Sequence, residues 1–212
     1  MKPLRIALTK GRLEEDTISL LETIGMNCDA VHNKGRKLIL PIGDGSIEVV
    51  LAKAADVITY VEHGVCDLGV VGKDTIMEHG GSFYELLDLG FGRCRFALAG
   101  PAGKKFFTGY QTKTIASKYP NIARAYFESR AMDVQIIKIE GSVELAPLLG
   151  LSDAIVDIVE TGNTLKENGL AVIDTICQIS ARLIANEASL KLRKKEIETL
   201  AARMEKAKEK QV

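Results

Sequence analysis

Asp157-Ile-Val-Glu160-Thr161-Gly162-Asn163-Thr164 holds the residue types in this sequence with the most chemistry to offer. An apolar run delivers two carboxylates, and a Thr-Gly-Asn-Thr turn follows at once. Such a turn before a helix presents backbone N–H groups and two hydroxyls to one point, where the positive end of the helix dipole also acts. That is a cradle for a phosphate. Carboxylates just upstream can accept hydrogen bonds from ribose hydroxyls, so the whole segment suits a ribose 5-phosphate. A plainer reading stands beside it, because Thr and Asn cap helices and Gly makes turns. The two acidic residues ahead of the turn favour ligand binding. On a strand of period two, Asp157 and Glu160 would point to opposite faces.

Lys10-Gly11-Arg12 occupies the first strand-to-helix turn, where open sheets bind ligands, and suits a polyphosphate or pyrophosphate. Lys34-Gly35-Arg36-Lys37 is a second basic cluster, with a solvated loop as its alternative. Gly69-Val-Val-Gly72-Lys73-Asp74 has glycines that would let backbone approach a ligand closely. The spacing is not that of a Walker A loop, and there is no G-x-G-x-x-G and no nucleophile elbow. His32, His63 and His79 are scattered, which argues for neither a histidine base nor a metal-binding pair. Cys28, Cys66, Cys94 and Cys177 form no C-x-x-C motif, so buried reduced thiols are expected. No metal site follows from ligand spacing.

The elements that must position these residues alternate. Strands are expected at Leu4–Thr9, Lys37–Leu40, Ile47–Leu51, Leu68–Val71, Phe96–Ala99, Thr114–Ala116, Val134–Ile139, Ala154–Val159 and Leu170–Ile173, with a turn at Pro41–Gly45. Helices are expected at Leu13–Ile24, Ala54–His63, Asp74–His79, Ile122–Ala131, Val143–Leu149 and Leu165–Glu167. This order predicts an α/β fold with largely parallel sheets. Glu187–Val212 predicts a long amphipathic helix with a narrow stripe of Ile197, Leu200, Ala201 and Met204, packing on its own domain or on a partner.

With 212 residues, of which 46% are hydrophobic, the chain can build one or two packed domains. Lys plus Arg equals Asp plus Glu at 28 each, and with 5% aromatics and no Trp neither a basic nucleic-acid face nor a stacking platform is expected. The N-terminus lacks the apolar core of a signal peptide, and no run reaches the ~18 residues of a membrane span. A cytoplasmic protein without membrane contact is expected.

One long pattern narrows the reading. Glu144-Leu-Ala-Pro-Leu-Leu-Gly150-Leu-Ser152-Asp-Ala-Ile155-Val-Asp157-Ile158-Val-Glu-Thr161-Gly162-Asn-Thr164-Leu165 resembles the signature of the ATP phosphoribosyltransferases that open histidine biosynthesis. The resemblance also covers Ala7–Leu13, Tyr60–Gly64 and Asp67–Asp74, and so runs to about Asn186.

It implies two α/β domains resembling type II periplasmic binding proteins, with residues 1–90 plus 175–212 as the ATP-side domain and 91–174 carrying the sugar loop. It implies transfer of the phosphoribosyl group of 5-phosphoribosyl-1-pyrophosphate to N1 of ATP, with Mg²⁺ bound by the substrate. By family position, Arg12 and Arg36, with Lys10, meet the leaving pyrophosphate. Thr161, Gly162, Asn163 and Thr164 hold the 5-phosphate, Asp157, Glu160 and Glu144 border the sugar, and Lys10, Gly11, Asp67 and Lys73 lie toward ATP. The expected form is the short one: a homodimer within a hetero-oligomer that includes a regulatory subunit similar to histidyl-tRNA synthetase and needed for histidine inhibition. Two rivals remain open, a small-molecule binding module of the same fold and a purine-salvage type phosphoribosyltransferase.

Overall fold

The computed structural model describes residues 2–209. Two compact units emerge: Met1–Gly92 with Ser180–Val212, called unit 1, and Arg93–Ile179, called unit 2. In chain order unit 1 begins with β1 (Leu4–Thr9), α1 (Arg12–Thr23), α2 (Asp29–His32), β2 (Ile39–Ile42), β3 (Ile47–Ala52), α3 (Ala54–Glu62), β4 (Leu68–Gly72), α4 (Lys73–His79) and β5 (Tyr84–Asp88). Unit 2 contains β6 (Cys94–Pro101), β7 (Lys113–Ser117), α5 (Pro120–Glu128), β8 (Val134–Lys138), α6 (Leu145–Leu148), β9 (Ala154–Val159), α7 (Asn163–Glu167) and β10 (Leu170–Ile179). The chain then returns to unit 1 through β11 (Ala181–Ala185), α8 (Glu187–Leu192) and α9 (Lys194–Lys208).

Unit 1 is built on the sheet β2-β3-β1-β4-β11-β5. β1 runs parallel to β3 and β4, while β2, β11 and β5 are antiparallel to their neighbours. β1 and β4 are apolar almost throughout because helices and further chain cover both faces. Pro41 lies inside β2 rather than in the expected turn, which occupies the residues after Ile42. An edge strand tolerates this, since a missing N–H on its outer side leaves no neighbour unpaired. Gly69 is buried within β4, and an added Cβ would meet Val57 and Val61 of α3 at 2.8 Å. Its lack of a side chain therefore lets α3 close onto the sheet, not a ligand onto the backbone.

Unit 2 carries the sheet β10-β6-β9-β7-β8, in which β7 is parallel to β8 and β9, and β6 is antiparallel to β9 and β10. β10 continues past the expected Ile173 to Ile179, so the second crossing between units falls at Ser180 instead of near residue 175. Register shifts between Val172 and Asp174 and between Thr175 and Cys177 interrupt the alternation, which hides this strand from a period-two reading.

The C-terminal segment is two helices broken at Arg193, not one. The Arg193 guanidinium is held by the Lys2 and Pro3 carbonyls, Asp67 and Glu196. Ile197, Leu200, Met204 and Ala207 are buried in the core of unit 1 against β1, β3 and α1 residues, so the apolar stripe packs on its own unit. Lys210–Val212, which the expected helix included, lie outside the described residues. No described helix is long and apolar enough to cross a membrane.

Candidate functional site

A cavity of about 330 Å³ opens in unit 2 where β6, β9 and the turn into α7 meet. Ala97 stands opposite Asp157 and Ala99 opposite Ile155 in the β6–β9 register. Directly opposed residues of an antiparallel pair share a face. The two alanines are short, and they leave room above the sheet beside the Asp157 carboxyl. Glu144, ahead of α6, forms another wall, and Glu160, Thr161, Gly162 and Thr164 close the end. Asp157 and Glu160 thus border one space rather than opposite faces. β9 ends at Val159, so Glu160 belongs to the turn and escapes the strand's alternation.

The turn has the form its residues predict. Gly162 sits at φ 83°, left-handed backbone that a side chain would strain. Thr161 Oγ1 accepts from Asn163 N at 3.3 Å, and Lys166 N donates to the Gly162 carbonyl at 3.1 Å to start the helix. Asn163 is exposed, and the cavity lining passes from Gly162 to Thr164 without it. Burial pushes the Asp157 carboxyl up to about 6; the Ile158 N–H opposes the shift, Glu144 adds to it and Lys118 opposes it. The site therefore holds a carboxyl that changes charge near neutral pH, beside a turn with hydroxyls and backbone donors. Ala97, Ala99 and Lys118 were not foreseen from the sequence, because only strand register brings them to Asp157.

In unit 1, β1 lies between β3 and β4, and the chain leaves β1 toward β3 before crossing to β4 on the other side. Lys10-Gly11-Arg12 follows β1 and so stands at the carboxyl end of the strands, at the switch point where such sheets bind ligands. Gly11 makes this turn at φ 95°. Lys10, Arg12 and Arg36 are exposed, with Arg12 Nε 3.9 Å from Asp16 Oδ2. Lys34 bonds the buried Glu14 carboxylate in the first turn of α1, which fastens the Lys34–Lys37 loop beside the Lys10–Arg12 turn. Two basic segments far apart in sequence thus share one end of α1.

Lys73 also follows the carboxyl end of a parallel strand, but its Nζ bonds Glu85 Oε2 at 2.5 Å, and Glu85 receives Arg182 as well at 3.1 Å. Asp67 is placed otherwise than expected. It precedes β4, at the opposite end of the sheet from Lys10 and Lys73. Arg5 N donates to it at 2.9 Å, Ser189 Oγ at 2.7 Å and Arg193 NH1 at 3.2 Å. Asp67 ties β1 and the C-terminal helices together, and a carboxylate so occupied at that end is not at the ligand-binding edge. Among the described residues no group of three His, Cys, Asp or Glu side chains is placed to hold a metal ion.

Comparison with known proteins gives a consistent result. A family model described as HisG, ATP phosphoribosyltransferase, matches residues 53–206. The ATP phosphoribosyltransferase of Clostridium kluyveri is 59% identical over 199 residues, covering 94% of this chain and 91% of that protein. A chain of the ATP phosphoribosyl transferase (HisG:HisZ) complex from Thermotoga maritima superposes with a TM-score of 0.84 at 35% identity, covering 98% of both chains. The periplasmic aliphatic sulphonate binding protein SsuA from Escherichia coli superposes with a TM-score of 0.63 over 98% of this chain and 73% of that one. At 13% identity this last likeness shows the fold alone, that of the type II periplasmic binding proteins.

Proposed function

Because the chain belongs to the HisG family of ATP phosphoribosyltransferases, we propose that it transfers the 5-phosphoribosyl group of 5-phosphoribosyl-1-pyrophosphate to N1 of ATP, the first step of histidine biosynthesis. The observation that carries the reading is the convergence of Glu144, Asp157, Glu160 and the Thr161–Thr164 turn on one cavity. Carboxylates for ribose hydroxyls and donors for a 5-phosphate are what this sugar needs, and a purine-salvage reading would leave the Lys10–Arg12 turn unexplained.

N1 of adenine, a neutral ring nitrogen, attacks C1 of the ribose with its lone pair. The C1–O bond to pyrophosphate breaks, and the electron pair leaves with pyrophosphate. No strong base is required, so placement and charge dominate. Arg12 and Arg36, with Lys10, meet the charge that grows on the leaving group. Asp157 and Glu160 orient the ribose, and Thr161, Gly162 and Thr164, which line the cavity, hold its 5-phosphate, while Asn163 braces the turn through its N–H to Thr161 Oγ1. Lys73 and Gly11 lie toward ATP. Mg²⁺, if bound with the substrate pyrophosphate, would supply charge screening of the leaving group, with no described side-chain cluster placed to hold it.

The partner follows the Thermotoga relative. That chain is part of a HisG:HisZ complex, and we carry over to this chain a regulatory subunit similar to histidyl-tRNA synthetase, in a hetero-oligomer that includes a homodimer of this chain. The cytoplasm, where ATP and the sugar pyrophosphate are made, is its proposed location. The test is incubation with ATP, 5-phosphoribosyl-1-pyrophosphate and Mg²⁺, with and without that subunit, followed at the adenine absorbance band. Formation of N1-phosphoribosyl-ATP with release of pyrophosphate is expected. Base exchange with hypoxanthine or guanine instead, or binding without turnover in both arms, refutes the assignment.

A further inference from the structure

We propose that Arg95 is a further substrate-binding residue, gripping the same phosphate that the Thr161–Thr164 turn receives. Arg95, Ala97 and Ala99 alternate along β6 and so share a face, and the two alanines line the cavity. Arg95 stands directly opposite Val159 of β9, which also lines it. Val159 in turn supports the turn itself, for a Cβ placed on Gly162 would lie 3.7 Å from its Cγ1. The register therefore sets the Arg95 backbone beside Val159, next to the end of the cavity that the phosphate turn closes.

Its Nε lacks a protein acceptor there. Nε is buried and makes no hydrogen bond, and no ion pair involves Arg95 among the described residues. Arg182 has a buried Nε of the same kind, but its other nitrogens pair with Glu85 and Asp88, so that side chain has a structural role. A buried guanidinium N–H without an acceptor costs free energy, and an anion supplied by a ligand removes that cost.

Charge points the same way. The cavity is lined by three carboxylates, Glu144, Asp157 and Glu160, and by no Lys or Arg. Apart from Lys118 near Asp157, only hydroxyls and backbone N–H groups would hold a phosphate dianion against that field. An arginine at the turn balances it, and its planar fork matches two phosphate oxygens at once.

This inference rests on reading the turn as a sugar-phosphate site, and its test is separable from the reaction. Wild type, Arg95→Gln and Arg95→Lys are titrated calorimetrically with ribose 5-phosphate and with inorganic pyrophosphate, and KM for ATP and for the sugar substrate is measured for each. Arg95→Gln is expected to weaken ribose 5-phosphate and raise the sugar KM by about 10- to 100-fold, as for a lost bond to a charged group. Arg95→Lys recovers part of the loss, while pyrophosphate affinity and the ATP KM stay at wild-type values. Unchanged ribose 5-phosphate affinity in Arg95→Gln overturns the proposal, as does an equal loss for both probes. If Arg95→Gln does not fold, wild-type affinity in Arg95→Lys overturns it. A wild-type chain that binds ribose 5-phosphate but transfers nothing to ATP, even with the regulatory subunit, refutes the reaction and leaves the Arg95 titration to decide on its own.

Discussion

Replacing Asp157 by Asn should stabilise the protein and impair it, and both effects should depend on pH. The carboxyl rises from its ordinary 3.8 to about 6, chiefly because burial disfavours its charge. The folded protein then holds this proton more tightly than the unfolded chain. The stability that results is complete below about pH 4 and is lost as pH rises through about 6. A shift of about two units corresponds to about 3 kcal/mol at the upper end. Asn has nearly the same shape, can still accept from the Ile158 N–H, and never ionises. At about pH 8 the variant should therefore resist urea better than wild type by up to about 3 kcal/mol, and the gap should close toward zero near pH 4. Other carboxylates titrate equally in both proteins and cancel in the difference. Sugar affinity should respond in the opposite sense, because ribose hydroxyls prefer an ionised acceptor: wild-type affinity rises with pH through about 6, while the variant's is flat and weaker by about 10- to 100-fold. Urea unfolding and sugar titration at both ends of this range check the argument. A variant less stable than wild type at about pH 8, or a gap independent of pH, would refute the burial of a charge-bearing Asp157.

Thr161→Val and Thr164→Val should each weaken ribose 5-phosphate by about 1.5–3 kcal/mol, since each removes a hydroxyl donor to a dianion, and calorimetry reads the loss directly. Arg12→Ala and Arg36→Ala should lower kcat more than they raise KM, because the charge they meet grows in the transition state; steady-state kinetics showing a pure KM effect would make them ground-state binders. Asp67→Ala should cost about 1–3 kcal/mol in urea unfolding, with Ser189 and Arg193 left without this acceptor, yet leave the KM for ATP unchanged. A raised ATP KM in a protein of normal stability would restore Asp67 to the ligand site.

Local chemistry was legible in the sequence wherever neighbours along the chain do the work. The Thr161–Thr164 turn, the Lys10–Arg12 turn and most strands could be read because a turn needs its own Gly and a core strand its own apolar run. β5 and β11 could not. β5 is a short edge strand, Tyr84-Glu-Leu-Leu-Asp88, without a clean alternation, and β11 reads as a continuation of the polar-interrupted stretch before it. Asp67 shows the limit most clearly. It adjoins Leu68–Gly72 just as Lys73 does, but a parallel strand has two ends and only its carboxyl end faces the ligand edge, so two residues six apart serve opposite sides of the sheet. The C-terminal stripe was correctly apolar, while its partner, the core of its own unit, is set by long-range packing. Arg95 was invisible for the same reason: a cation between Cys94 and Phe96 means little until β6 is laid against β9, and that pairing is made by residues some sixty positions apart. Sequence by itself determined which segments could hold a phosphate and a ribose; tertiary structure decided which charges stand beside them, because register, strand direction and burial exist only once distant segments have paired.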